Sequence, residues 1–266
     1  MRNTVVLFLV AFLVLPGMLF AQGEDELSSA SRYEAYAGTK SMGPSIVAST
    51  SWVGAIAEAG GAQDVLVLAP VELRHPPEYD FSPQDIVRAS QADLVFWAGY
   101  EGFVKNLIQA AELSENRLIN VQTNNAPDKL SESAAAVSRL LGTEEAYRVW
   151  KGQLDVLSSR MLEGAEAQDA KTTKVAVQFH HQALARYLGY DVIRVYGPQE
   201  LTMNDIRDIE ALNPDLIMDN WHSPQGAPLQ KDGRQYVQLV NFPGPFGTAS
   251  ILDVLEYNAK QLSLIP

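Results

Sequence analysis

Lys174-Val-Ala-Val-Gln-Phe-His-His-Gln-Ala-Leu-Ala-Arg-Tyr-Leu-Gly-Tyr-Asp-Val-Ile-Arg-Val-Tyr196 packs three structural signals into one stretch. Lys174 to Phe179 is a short apolar, valine-rich run, the pattern of a buried strand. His181 to Leu188 reads as a helix that Gly189 ends, since glycine takes the backbone conformation that closes a helix. Asp191 to Tyr196 is a second strand. Strand, helix and strand in close succession form the unit of a parallel sheet, because parallel strands need a crossover connection.

Outward from this stretch the alternation repeats on both sides. Toward the C-terminus, Thr202-Met-Asn-Asp205 opens a helix to about Leu212, Asp215 to Asp219 and Tyr236 to Val240 read as strands, and Ser250 to Leu262 closes as a helix. Toward the N-terminus, strands are expected at 45–50, 65–70, 92–97 and 118–121. Between them lie a helix from Ser51, stopped by Gly60-Gly61, one from Ser82-Pro83 with Ser82 as N-cap, and one over Phe103 to Leu113. Residues 129–167 break the pattern, with helical periodicity and no strand signal. Tyr147, Trp150, Leu154, Leu157 and Met161 recur every three or four residues along one stripe. Thr143 is the expected cap, and Glu144 and Glu145 suit the positive end of the helix dipole. The fold class is therefore α/β: two lobes with parallel sheets joined by a long connecting helix, with the ligand site in the crevice between them. The expected divisions are 1–21 a signal peptide, 22–41 a flexible N-terminal segment, 42–128 the first lobe, 129–170 a helical connector and 171–266 the second lobe. The halves share no strong sequence repeat.

Arg2 followed by the apolar run Val5 to Leu15, with small Ala21 before the cut, reads as a secretory signal peptide. The run is shorter than the roughly 20 residues of a transmembrane helix. The chain has no cysteine, which excludes disulfides, thiolate ligands, a cysteine nucleophile and a lipid-attachment cysteine. Export without an anchor points to the periplasm. The net charge of −12 argues against nucleic acid and anionic membranes and is compatible with a cationic ligand.

The 4 histidines fall in three short motifs, each just after an expected strand: His75 in Leu-Arg-His-Pro-Pro-Glu-Tyr, His180-His181, and His222 in Asp-Asn-Trp-His. Neutral imidazole is the commonest protein ligand for transition metals, and the carboxyl ends of parallel strands gather at one crevice. His75, His180, His181, Asp219, His222, Glu78 and Glu101 form the candidate ligand set. Adjacent His180 and His181 point to opposite sides of an extended backbone, and His180 is the better placed of the two. Asp219 ends an apolar strand, where a bare carboxylate needs a cation or hydrogen bonds. The plain alternative for each is a surface imidazole or a turn and cap carboxylate; Asp80, for one, suits the start of the helix at Ser82. Imidazoles with a carboxylate suit Zn²⁺, Mn²⁺ or Fe²⁺.

Several motifs, in order, resemble the solute-binding proteins of bacterial zinc and manganese ABC transporters. They are His75-Pro-Pro-Glu-Tyr-Asp-Phe-Ser-Pro-Gln-Asp-Ile86, Gln91-Ala-Asp-Leu-Val-Phe-Trp-Ala-Gly-Tyr-Glu101, the long middle helix, Phe179-His-His181 before Tyr187-Leu-Gly-Tyr190, Asn213-Pro-Asp-Leu-Ile-Met-Asp219, and Glu256-Tyr-Asn258. The resemblance spans nearly the whole mature chain. It implies a periplasmic monomer that is not an enzyme, that captures divalent metal (Zn²⁺ or Mn²⁺) as its transported ligand, and that delivers it to an ABC transporter membrane permease. Departures from the family pattern are plain. Gln122-Thr-Asn-Asn-Ala-Pro-Asp128 has no histidine where the family usually carries its second, so Asn124 and Asn125 stand in its place. The acidic, histidine-rich loop of many zinc-specific members is absent, and the first histidine lies two residues early. Two other functions are compatible with the residues. One is the same fold holding a metal chelate or organic solute against Trp52, Trp97, Tyr100, Trp221 and Phe246. The other is a secreted zinc hydrolase with Glu78 or Glu101 as base, for which no His-Glu-x-x-His motif is present.

Overall fold

Short apolar runs pair side by side into two parallel sheets, and the helices between them cover the faces. The computed structural model describes residues 43–73 and 75–266. The expected signal peptide and N-terminal segment lie outside the described residues. The first sheet comprises β1 (Ile46–Ala48), β2 (Leu66–Val67), β3 (Leu94–Trp97) and β4 (Leu118–Asn120), in the order β2-β1-β3-β4. Val47 lies opposite Leu66 on one side and Val95 on the other. The second sheet comprises β5 (Lys174–Gln178), β6 (Asp191–Tyr196), β7 (Leu216–Asn220) and β8 (Gln235–Leu239), in the order β6-β5-β7-β8. Each sheet places its first strand inside, its second strand at one edge and its last two on the other side. The two lobes thus share a topology that their sequences do not display. β2 is shorter than expected and only half buried, because it is an edge strand paired on one side.

The helices are α1 (Ser51–Ala59), α2 (Pro83–Gln91), α3 (Gly102–Ala110), α4 (Pro127–Leu141), α5 (Glu144–Ala167), α6 (Gln182–Tyr187), α7 (Met203–Ala211) and α8 (Ile251–Gln261). Ser82, Thr202 and Ser250 each accept from the backbone three residues on, while Asp85, Asp205 and Asp253 reach back to the cap backbone. These reciprocal caps satisfy donors that a helix start leaves unpaired. At α5 the expected cap fails. The Thr143 hydroxyl makes no cap bond and instead donates to the Gly60 carbonyl at 2.5 Å, tying α5 to the end of α1.

The connector is two helices, α4 and the long α5. Leu154, Leu157 and Met161 are buried as the stripe predicts, but Tyr147 and Trp150 are only half buried. The Tyr147 hydroxyl shares a 2.8 Å bond with Ser131 of α4, so this aromatic keeps a polar tip near the surface. Farther along, α5 enters a core that runs through both lobes. That core joins Ile46 and Phe96 below the first sheet, Val175 and Leu239 of the second, and Leu154, Met161 and Val254 of α5 and α8. No helix among the described residues is long and apolar enough to cross a membrane.

Candidate functional site

All strands of a parallel sheet end on the same edge, so the loops after them converge where the strand order reverses. Here the two such edges face each other across a crevice of about 530 Å³. The first lobe lines it with Thr50 after β1, His75 after β2, Tyr100 after β3, and Asn124 and Asn125 after β4. The second lobe contributes His180 after β5, Asn220 and His222 at and after β7, and Asn241 after β8. Trp52, Phe179 and Phe242 add aromatic walls, and Arg186 of α6 adds a cation. Its guanidinium donates to Gln182 Oε1 at 2.8 Å rather than to a carboxylate.

Asn125 is the polar bridge between lobes. Its Nδ2 lies 2.7 Å from Asn241 Oδ1, 3.2 Å from the His180 carbonyl and 3.4 Å from His181 Nδ1. An amide has two N–H bonds, so three acceptors mean one is shared. Asn241 is held from behind by Asn258 of α8, which accepts from the Val240 N–H at 2.7 Å and donates to the Val240 carbonyl at 2.8 Å. The Asn241 N–H donates to His222 Nδ1 at 3.3 Å, and the His222 ring stacks on Phe242 with centroids 3.6 Å apart. Nearby, the Ser51 hydroxyl donates to the Pro243 carbonyl at 2.8 Å, a second tie across the crevice.

The paired histidines have different surroundings. His180 opens onto the crevice, with a pKa below the ordinary imidazole value because the surrounding protein desolvates its charged form. His181 is fully buried behind it. Burial, reinforced by the neighbouring His180 charge and opposed by Asn220 and the Leu239 carbonyl, pushes its pKa down to about 3. His181 is therefore neutral at pH 7 and accepts from Asn125.

The carboxylates stand elsewhere. Asp219 is completely buried, but on the opposite side of its strand from Asn220. Its Oδ2 accepts from Gly226 N–H at 2.8 Å and from the Tyr236 hydroxyl at 2.7 Å. Its Oδ1 accepts from Asn220 N–H at 2.9 Å and Gln225 N–H at 3.2 Å. Gly226 is required here, since a Cβ would sit 2.4 Å from the Tyr196 hydroxyl and 3.1 Å from this carboxylate. Asp219 thus folds the loop that carries His222, and it is not part of the crevice lining. Glu101 is also buried, holding the Ser49 hydroxyl at 2.7 Å and the Ala98 N–H at 3.0 Å. Glu78 is exposed and lies outside the lining. Asp80 does not cap α2, a role Ser82 takes. Among the described residues no three histidine, aspartate or glutamate side chains stand together as a cage for an ion. Of the aromatics expected in the crevice, Trp52 and Tyr100 line it. Trp97 packs in the first lobe, while Trp221 and Phe246 border a separate depression with Tyr257. Asn220, Asn241, Phe242 and Arg186 are among the lining residues that sequence reasoning missed. The strand ending Gln-Leu-Val240 placed Asn241 at the right edge, but asparagine carries little signal by itself.

No family model matches the chain, and no curated protein matches it in sequence. Solved structures do match. One is the solute-binding protein FpvC from Pseudomonas aeruginosa in complex with Mn²⁺, at 18% identity and a TM-score of 0.65, covering 82% of this chain and 97% of that one. Another is the periplasmic zinc-binding protein TroA from Treponema pallidum, at 17% identity and TM-score 0.62, covering 84% and 100%. AdcAII from Streptococcus pneumoniae matches at 16% identity and TM-score 0.64, covering 83% and 98%. At this identity the likeness establishes the fold: two α/β lobes around a central crevice.

Proposed function

We propose that this chain is an exported solute-binding protein that captures a divalent transition metal, zinc or manganese, between its lobes and delivers it to the membrane permease of an ABC importer. One observation carries the reading. His75, His180 and His222, three of the 4 histidines, come from both lobes and from three separate strand ends to line one crevice. They do not stand together as a cage, but imidazole is the side chain that serves transition metals, and all three open onto the same space. The neighbours in fold support it, since TroA is described as zinc-binding and FpvC was solved with Mn²⁺. The apolar run at residues 5–15 supports export to the periplasm.

A hydrolase reading is weaker. Glu101 is held by Ser49 and Ala98, and Glu78 lies outside the crevice, so neither is placed as a general base. The test is elemental analysis of the chain purified without chelators from the exported fraction of its own cells. About one equivalent of zinc or manganese per chain is expected, as one site implies, with loss of that metal in His180→Ala and His222→Ala. A metal-free wild-type protein would overturn the proposal.

A further inference from the structure

We infer that the metal enters this crevice already complexed by a small anionic chelator; the inference rests on the metal-cargo reading above. The donor set is the first ground. The crevice offers imidazoles from His75, His180 and His222 and carboxamides from Asn125, Asn220 and Asn241, and none of its described lining residues bears a carboxylate. Glu101, just before α3, and Asp219, near the end of β7, spend their oxygens on protein donors. A divalent ion held only by neutral donors keeps its whole charge in a partly desolvated site, so an anionic ligand that arrives with it stabilises it there. Arg186 adds a positive charge to the same lining and makes a bare cation less welcome still.

Space is the second ground. The crevice measures about 530 Å³, whereas a single bound water takes up about 30 Å³. Cavities of roughly 300–1,000 Å³ are those that hold small organic ligands. Trp52, Phe179 and Phe242 supply apolar walls that a lone ion cannot use and an organic scaffold can.

A chelator with two or more carboxylates resolves both points. Its oxygens neutralise the ion and leave one or two coordination positions open. Imidazole nitrogens of His180, His222 or His75 fill those positions, displacing metal-bound water with no change of oxidation state. A carboxylate of the chelator turned away from the metal pairs with the Arg186 guanidinium, a contact suited to planar recognition. Tyr100, exposed at the rim, supplies a further hydrogen bond.

The test is calorimetric titration of the metal-stripped full chain with Zn²⁺ alone, with the one-to-one complexes of Zn²⁺ with nitrilotriacetate and with citrate, and with each chelator free of metal. We expect at least one complex to bind about tenfold or more tighter than Zn²⁺ alone, a gap of about 1.4 kcal/mol. Arg186→Gln should weaken binding of that complex about tenfold, the loss of one charge-assisted contact, while any response to Zn²⁺ alone should hold or strengthen, since a like charge has been removed. His180→Ala should weaken the complex and not the metal-free chelator. Zn²⁺ alone binding as tightly as its complexes, and lost in His180→Ala, would overturn the inference while leaving the metal-cargo reading intact. Metal-free chelators binding as tightly as their zinc complexes would overturn both, and would make this an organic-anion crevice. Absence of heat with every probe would overturn the inference too, and the elemental analysis would then decide the metal reading by itself.

Discussion

Asp219 shows how one buried carboxylate can organise the loop beside a crevice. Four donors from Asn220, Gln225, Gly226 and Tyr236 converge on it and shape the loop that holds His222. In Asp219→Asn an amide group would face those donors, leaving at least one buried N–H or O–H without an acceptor. We expect a loss of about 3 kcal/mol of stability, or a fall of about 6–12 °C in Tm for a chain of this size, with metal content retained below the melt. A folded Asp219→Asn protein that has lost its metal would return this residue to the ligand set. Tyr79 and Asp85 do similar work for the loop bearing His75. The Tyr79 hydroxyl donates to Asp85 Oδ2 at 2.9 Å, and its ring meets Phe103 edge-on at 5.4 Å. Burial, then this bond, raises the Tyr79 pKa to about 12. Burial also pushes Asp85 upward, but bonds from Ser82, Tyr79 and Arg88 outweigh it and hold its pKa below the usual carboxylate value. The tyrosine contribution, with its folded pKa raised, is complete below about pH 10 and is lost as pH rises toward about 12. The aspartate contribution, with its folded pKa lowered, is complete above about pH 4 and is lost in stronger acid. Melts of wild type and Tyr79→Phe from neutral to strongly alkaline pH should show a constant gap that closes as pH approaches 12. A gap unchanged across the whole range would mean that the bond to Asp85 contributes nothing.

At the scale of elements, α5 matters because it belongs to both lobes at once. From Leu154 onward it buries Leu154, Met161 and Ala165 in the core shared by the two sheets. Gly164 sits inside this helix, where glycine ordinarily weakens helical structure by about 1 kcal/mol. The reason lies in the C-terminal tail. A Cβ on residue 164 would stand 2.0 Å from the Leu264 carbonyl, and Gln168 binds the neighbouring Ser263 carbonyl at 2.6 Å. Gly164→Ala therefore sets better helix propensity against a backbone clash, and the clash should win by about 1–3 kcal/mol. Denaturant unfolding checks this, and a more stable variant would show that the tail does not need its close seat. Sequence periodicity located this helix and its stripe, yet it misjudged Tyr147 and Trp150. Period alone says which face turns inward, and the position of α4 decides how deep that face goes at each end.

Across the whole molecule, the common core and the Asn125 and Ser51 ties leave the lobes little freedom to swing. Hinge motion usually needs a thin or polar junction between domains. Small-angle scattering should thus give the same radius of gyration with and without cargo. A measurable contraction on loading would contradict this and imply that the core parts between lobes. Cargo should instead show itself in stability, adding about 2.7 kcal/mol when its free concentration is a hundredfold above Kd.

What the sequence by itself determined is the succession of buried strands and helices, the break between two lobes, and the placement of every histidine just after a strand. These follow from local patterns: apolar runs too short for helices, glycine stops, serine and threonine caps, and a helical stripe in the middle. The direction of each strand-end side chain was decided only by the tertiary structure. Asp219 and Asn220 are neighbours, and alternation along β7 sends one to the loop at Gly226 and the other to the crevice. A buried carboxylate looks the same in sequence whether a metal or four protein donors neutralise it. Its donors here lie up to 17 residues away, at Tyr236, and come together only when β7 and β8 pair. The same holds for the meeting of Asn125, His181 and Asn241, which brings together positions as far as 116 residues apart. Sheet topology makes that meeting, because it sends every strand's carboxyl end to one crevice, and no local signal in the chain records it.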